Sequence, residues 1–364
     1  MKKHLIIKIS LYISLITAFS SCGKDDSEEY SEVPDSSPVV LDLNTVPYPK
    51  LSDYNFFEGD IKNLEPVKGV LPYDLNSTLF TDYAHKKRFV WMPDNVKAQY
   101  ISDSEVLNFP SGSVLIKNFY YDNVLPENKT RIIETRLLIK KGEKWILANY
   151  LWNDDQTEAT LNMNGSYTNI SWMENGENKS TNYRIPSKVE CYTCHKSEQD
   201  TVPIGPKPQN LNKLFNYSDG SKNQLTKWAQ AGYLQNNLPD NIITTIDWQD
   251  ETQPLELRVR SYLDINCAHC HREGSHCDYR PIRLAFNETT NPTNLGICVE
   301  PEEFINNSLT HIITKGNSER SEMYYRLNSV TENERMPLLG RTIKHQEALD
   351  LFKEWINSME EPCP

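Results

Sequence analysis

Two short stretches, CYTCH at 191–195 and CAHCH at 267–271, each join two cysteines two residues apart to an adjacent histidine. This C-x-x-C-H spacing is typical of covalent haem attachment. The two thiols form thioethers with the two vinyl groups of one porphyrin edge, and the following imidazole reaches the iron. The alternatives are a zinc site built from two C-x-x-C pairs and a thioredoxin-like redox pair. Neither needs a histidine after each pair, so the sequence predicts two covalently bound haem c groups.

Each motif residue then has a predicted role. We expect thioether bonds at four cysteines, namely Cys191, Cys194, Cys267 and Cys270. The histidine after each pair, His195 in the first motif and His271 in the second, is the predicted proximal ligand of its iron. His269 lies inside the second motif and is expected to point away from that motif's iron.

The second iron can be given a sixth ligand from the sequence. An electron-transfer haem needs two strong axial ligands, and His/Met is a common pair in c-type cytochromes. Met336 follows the second motif, in the loop NERMPLLGRT, where Pro337 restricts the backbone. Met323 is the competing methionine, but it lies in a predicted helix. We therefore assign Met336 to the second iron, opposite His271.

The first iron has no such completion, because residues 196–268 contain neither methionine nor histidine. Its sixth ligand must come from another part of the chain or be absent. The N-terminal half offers His85, whose basic neighbours could also pair with haem propionates, and three methionines: Met92, Met163 and Met173. An open sixth position would make this haem reactive towards small ligands such as peroxide.

The N-terminus has the pattern of a bacterial lipoprotein signal. Residues 1–21 combine a basic start with an apolar run and small residues, and Cys22 follows directly. Cleavage there would leave a lipid-modified Cys22, followed by a flexible acidic tether over 22–44. The sequence thus predicts export to the periplasmic or cell-surface side of a bacterial membrane, with a lipid anchor.

Three cysteines remain after these assignments. Disulfides are permitted outside the cytoplasm. Cys277 and Cys298 could close one surface loop, which would leave Cys363 unpaired near the C-terminus.

The charge of the chain limits its partners. The formal net charge is −12, and loss of the signal-peptide lysines makes it more negative. A strongly acidic surface argues against nucleic acid. It favours redox partner proteins with a basic docking surface.

The residue composition and hydrophobic pattern change at two places along the chain and predict an α+β multidomain fold. Residues 45–180 are rich in aromatic and β-branched residues and predict a β-rich domain, a sandwich or open barrel. Residues 181–249 form a first haem module. Residues 250–364 predict a second domain, α-helical and cytochrome c-like, with one helix ahead of CAHCH and a closing amphipathic helix capped by Thr342.

The sequence resembles a family of exported bacterial dihaem c-type cytochromes, which pair a β-rich N-terminal region with two C-terminal haem motifs. The resemblance is carried by YRIPSKVECYTCH, YLDINCAHCHREG, GNSERSEMYYRL, RMPLLG and, in the N-terminal half, LFTDYAHKKRFVWMP. It implies the same four thioethers, proximal ligands His195 and His271, and Met336 as one distal ligand. It implies no substrate.

Two functions follow from these expectations. The first is electron transfer by a lipid-anchored dihaem cytochrome. The alternative is a dihaem peroxidase-like oxidoreductase, in which the second haem feeds electrons to an open first haem. A carbohydrate- or partner-binding module is a third reading, but no clear pattern of exposed aromatic residues supports it.

Overall fold

A large antiparallel sheet organises the part of the chain that the structure, a computed structural model, describes: residues 36–360 and 362–364. The predicted signal peptide and Cys22 lie outside these residues. In chain order the strands are β1 (Phe57–Glu58), β2 (Glu65–Pro66), β3 (Leu71–Tyr73), β4 (His85–Trp91), β5 (Val114–Val124), β6 (Lys129–Lys141), β7 (Lys144–Trp152), β8 (Ala159–Leu161), β9 (Asn164–Glu174), β10 (Glu177–Ser187), β11 (Lys196–Ser197), β12 (Asp200–Thr201), β13 (Leu214–Tyr217) and β14 (Gly220–Asn223).

The main sheet contains eight of these strands, β3 to β10. The order β10-β9-β5-β6-β7-β8 runs through it, and β4 pairs with β5 and with β3. Two-residue loops close two of its hairpins: Gly142 adopts φ 57° between β6 and β7, and Asn175 and Gly176 adopt φ 52° and 82° between β9 and β10. Positive φ at such positions matches the twist of paired strands, which explains why Gly and Asn occur there.

Both faces of the sheet are buried. One face packs Phe89, Ile116 and Leu137 against N-terminal residues that include Tyr54 and Phe56. The opposite face packs against side chains from the half of the chain that carries the haem motifs, including Leu225, Trp228 and Ile265. In a β-sandwich a second sheet would cover this face. Here the second half of the chain covers it instead.

The helices are few and short. In chain order they are α1 (Lys188–His195), α2 (Pro208–Leu211), α3 (Gln224–Gln230), α4 (Leu255–Asn266), α5 (Glu322–Asn328) and α6 (Gln346–Asn357), with 3₁₀ turns at Leu51–Tyr54, Ile61–Asn63 and Ser318–Arg320. The longest have 12 residues, roughly 18 Å at 1.5 Å per residue. Among the described residues, no helix is both long and apolar enough to pass through a bilayer.

The predicted fold class is therefore wrong, because α-helical cytochrome c-like domains are not found within the described residues. The region between α4 and α5 explains much of the error. Prolines at 281, 292 and 301 interrupt it, and each lacks the N–H that a helix interior needs. Most of this region is turns and irregular chain.

The closing helix also begins later than predicted. Its N-cap is His345, not Thr342. The backbone N–H and hydroxyl of Thr342 instead donate to the buried carboxylate of Asp82, at 2.6 and 2.8 Å. The helix ahead of CAHCH and the closing helix, α4 and α6, do contact each other, since the rings of Tyr262 and Phe352 lie 5.6 Å apart.

The predicted Cys277–Cys298 disulfide is wrong as well. Cys298 is bonded to Cys363, 65 residues later, and Cys277 is a buried free thiol. Spacing along the chain does not determine disulfide connectivity, because the pairing depends on which thiols the fold brings together. Here the bond ties the C-terminus back to the chain beside Ile313, which pairs with Ile297.

Replacing Cys363 with serine tests this pairing. Loss of a cross-link that closes a long loop should lower the free energy of unfolding by about 2–4 kcal/mol, measured by chemical denaturation under oxidising conditions. Cys277→Ser is the matched control and should have a smaller effect, because it breaks no cross-link. A non-reducing peptide map that joins Cys277 to Cys298 would contradict the structure.

Candidate functional site

The first motif lies on α1, which follows β10 without a loop. Ser187 caps the helix: its hydroxyl accepts from the Glu190 N–H, and the Glu190 carboxylate accepts from the Ser187 N–H at 2.7 Å. Glu190 also binds Arg184 of β10 through two hydrogen bonds of 2.7 and 3.0 Å. This capping box and bidentate pair fix the CYTCH segment relative to the sheet.

The imidazole of His195 is oriented as a metal ligand would be. Its Nδ1 lies 2.7 Å from the carbonyl oxygen of Val202, a residue that the small β11–β12 hairpin brings back beside α1. An Nδ1–H that donates to this carbonyl leaves the Nε2 lone pair free for iron. Burial lowers the pKa of His195 to about 4, so the ring is neutral at pH 7.

The second motif follows the end of α4. The N–H groups of Cys270 and His271 both donate to the Cys267 carbonyl at 3.0 Å, which curls CAHCH into a tight turn. Burial lowers the pKa of His271 to about 4, and its buried Nδ1 has no hydrogen-bond partner among the residues that the structure describes. This imidazole is also neutral and available.

Three neighbouring cavities surround the motifs, and the one between the other two is lined by Cys194 of the first motif and by Cys267, Cys270 and His271 of the second. The first cavity contains Cys191, Cys194 and His195 and has a volume of about 1200 Å³ with its open mouth included. The second cavity contains Cys267 and His271 and has a volume of about 1210 Å³ measured in the same way.

The two motifs meet between the cavities. The sulfurs of Cys194 and Cys270 and a ring nitrogen of His269 lie within 4.8 Å of one another. A hydrogen bond from Cys270, and to a smaller extent one from His269, lowers the pKa of the Cys194 thiol well below its usual range. The same hydrogen bond to Cys194 raises the pKa of the Cys270 thiol. Burial raises the pKa of the first cysteine of each motif, to about 11 for Cys191 and to about 12 for Cys267.

This arrangement fits haem c better than a zinc site built from both C-x-x-C pairs. Such a zinc site needs four thiolates around one ion. Here the first cysteine of each pair lines a different cavity, Cys191 the first and Cys267 the second. The cysteines that approach each other are the second of each pair, Cys194 and Cys270. With a neutral histidine beside each pair of free thiols, the residues present fit two separate haem groups.

Met336 lies in the second cavity with His271, as the predicted His/Met pair requires. Its loop is held by the backbone: the Met336 N–H donates to the Arg326 carbonyl, and the Arg341 guanidinium donates to the Met336 carbonyl, both at 3.0 Å. Arg341 is buried and also donates to carbonyl groups of Arg326, Leu327, Ser329 and Ile343. Met323 lines the same cavity from α5.

The predicted distal candidates for the first iron do not line the first cavity as described. His85 is exposed at the start of β4 and packs against the Tyr120 ring at 5.4 Å. Met92 is buried in the core, and the sulfur of Met163 accepts a hydrogen bond from the Asn149 N–H. Met173 of β9 is not among the lining residues either.

The sequence analysis did not place Lys117 of β5 or His269 of the second motif beside the first iron, but both line the first cavity. The alternation of β5 could have placed Lys117 on one face of the sheet. It could not show that this face looks towards α1, because that depends on how the second half packs. His269 is directed to the junction between the motifs.

The ligand of the second iron is tested by two single variants of the haem-loaded protein. Met336→Ala should remove the weak long-wavelength absorption band of a ferric iron bound to sulfur, because it removes the axial thioether. Met323→Ala is the matched control from the same cavity and should leave the band intact. The opposite pattern would assign the ligand to Met323.

Comparisons of the chain with protein-family models, with curated proteins and with solved structures found no match. The likeness to dihaem cytochromes is thus carried by the motifs of the sequence, and it enters below as a proposal.

Proposed function

We propose that this chain is an exported dihaem c-type cytochrome that transfers electrons. The observation that carries the proposal is the meeting of the two motifs: the Cys194 and Cys270 sulfurs approach within 4.8 Å, while His195 lines one cavity and His271 lines another. A thioether sulfur is bonded directly to the porphyrin edge. Two attachment sulfurs at this separation therefore support a short path for electrons between two haems.

The surrounding residues suit one-electron chemistry, which bound haem would supply. Neutral His195 and His271 are available as proximal ligands. The anchored loop of Met336 supports a fixed sulfur opposite His271, and a thioether ligand raises the reduction potential. A rigid pair of ligands changes little between the two oxidation states, which favours rapid electron transfer.

The proposal includes the location and the partners. Residues 1–21 would direct export, and a lipid on Cys22 would tether the protein to a bacterial membrane. The net charge of −12 favours a redox partner with a basic docking surface and argues against nucleic acid.

One observation favours a second candidate, a dihaem peroxidase-like oxidoreductase. None of the four predicted distal side chains lines the first cavity as the structure describes it, so the first iron would remain open unless Lys117 or His269 ligates it. His269 would also be a candidate acid/base group beside an open iron.

Optical and electron paramagnetic resonance spectra of the purified protein, with and without peroxide, separate the two functions. Electron transfer predicts two low-spin haems whose spectra do not change when peroxide is added, because strong ligands block both irons. Met336→Ala provides the positive control, since it exposes one iron. A high-spin haem in the unmodified protein that reacts with peroxide would favour the oxidoreductase.

A further inference from the structure

A row of polar side chains crosses five strands of the main sheet. Tyr73, Arg88, Lys117, Arg136 and Asn149 stand directly opposite one another on β3, β4, β5, β6 and β7. All five line the first cavity. The sheet therefore presents this row, and three adjacent cations at its centre, to the cavity that contains His195.

The positive charge of the row is incompletely balanced. Like charges directly opposite each other on neighbouring strands are destabilising. Arg88 pairs with Asp74 at 2.6 Å, and Arg136 pairs with Glu134. No ion pair or hydrogen bond within the described residues joins Lys117 to a carboxylate; its amine lies over the Phe119 ring, 4.9 Å from the centroid.

The row also contains hydrogen-bond donors without partners. Nη2 of Arg88, Nε of Arg136 and Nδ2 of Asn149 are buried and have no acceptor in the described part of the chain. The side chain of Arg88 is only 3% exposed. Leaving such a donor unsatisfied is costly, because the buried group has given up its hydrogen bonds to water. Three of them in one row point to an acceptor that the described residues do not supply.

An apolar row runs beside the polar one on the same face. Two residues further along each strand, Val90, Leu115, Leu138 and Leu147 stand opposite one another. Cys191 packs against this apolar cluster. The two rows together are complementary to a ligand with a flat apolar body and acidic groups at one edge.

We propose that the Arg88–Lys117–Arg136 row, with Asn149, binds the propionate carboxylates of the haem attached at Cys191 and Cys194. This inference rests on the proposed function, because it takes covalent haem at the first motif as given. A carboxylate satisfies guanidinium and amide donors and compensates adjacent cations.

The proposal gives the sheet a role in the haem site. Burial and the neighbouring Arg88, Lys86 and Arg136 lower the pKa of Lys117 well below its usual range. Anionic carboxylates beside the row would oppose this effect. The sheet and the first motif then form two halves of one site. The capping box and the Arg184–Glu190 pair would hold these halves in a fixed relative position.

The holoprotein variant Lys117→Met tests the row. Removal of a cation beside the propionates should lower the midpoint potential of one haem only, measured by spectroelectrochemistry, because the oxidised iron is then less disfavoured. Lys117→Arg should restore the potential towards its original value. Lys87→Met, on the same sheet but on its opposite face, is the matched control and should change neither potential.

Asn149→Leu is a second variant that leaves the charge unchanged. If Nδ2 has no partner, replacing the amide by an apolar group of similar shape should be neutral or stabilising. If it donates to a propionate, the variant should shift the propionate bending band in resonance Raman spectra and lower the unfolding temperature of the holoprotein. Neutral stability with an unchanged band would overturn the proposal.

A free anion is the other possible source of the carboxylate-like acceptor, and inorganic phosphate is the probe for it. Saturable binding of phosphate that shifts the first haem's potential, and is lost in Lys117→Met, would show that the row takes a free anion instead.

Failure of the row as a propionate site can be distinguished from failure of the proposed function. Two covalent haems with potentials that ignore Lys117→Met refute the row alone, whereas a chain without covalent haem refutes the proposed function.

Discussion

The contact between the two motifs is the constraint on which the arrangement of the site depends. Cys194 and Cys270 come within 4.8 Å, although Cys194 lies on α1 and Cys270 follows the end of α4. α1 is fixed to β10 by its capping box, and α4 packs Ile265 into the core on the sheet. Because both elements rest on the same face, the geometry of the sheet sets the distance between the two candidate haem sites.

A second set of contacts holds the loop that both cavities share. Met336 lines the second cavity, and Pro337 and Gly340 line the first. Arg341 binds the carbonyl groups of this loop, and Asp82, from the N-terminal half, accepts hydrogen bonds just beyond it. One set of buried polar contacts therefore holds a loop that lines both cavities, and groups left unsatisfied in such a set are costly.

The C-x-x-C-H motifs can be recognised from the sequence alone, because each consists of residues close together in the chain. The same reasoning failed where distant residues compete. Thr342 binds Asp82 instead of capping a helix, and Cys298 pairs with Cys363 instead of Cys277. The Arg88–Lys117–Arg136 row depends on the register of three strands, which the separate strand patterns do not specify.

The central claim is that both motifs carry covalent haem, and the mass of the purified protein under denaturing conditions tests it most directly. Thioether bonds survive unfolding, whereas a coordinated metal ion does not. We predict a mass that exceeds the polypeptide by two haem groups, located by peptide mapping at Cys191 and Cys194 and at Cys267 and Cys270. Four unmodified thiols, with zinc released on unfolding, would contradict the claim.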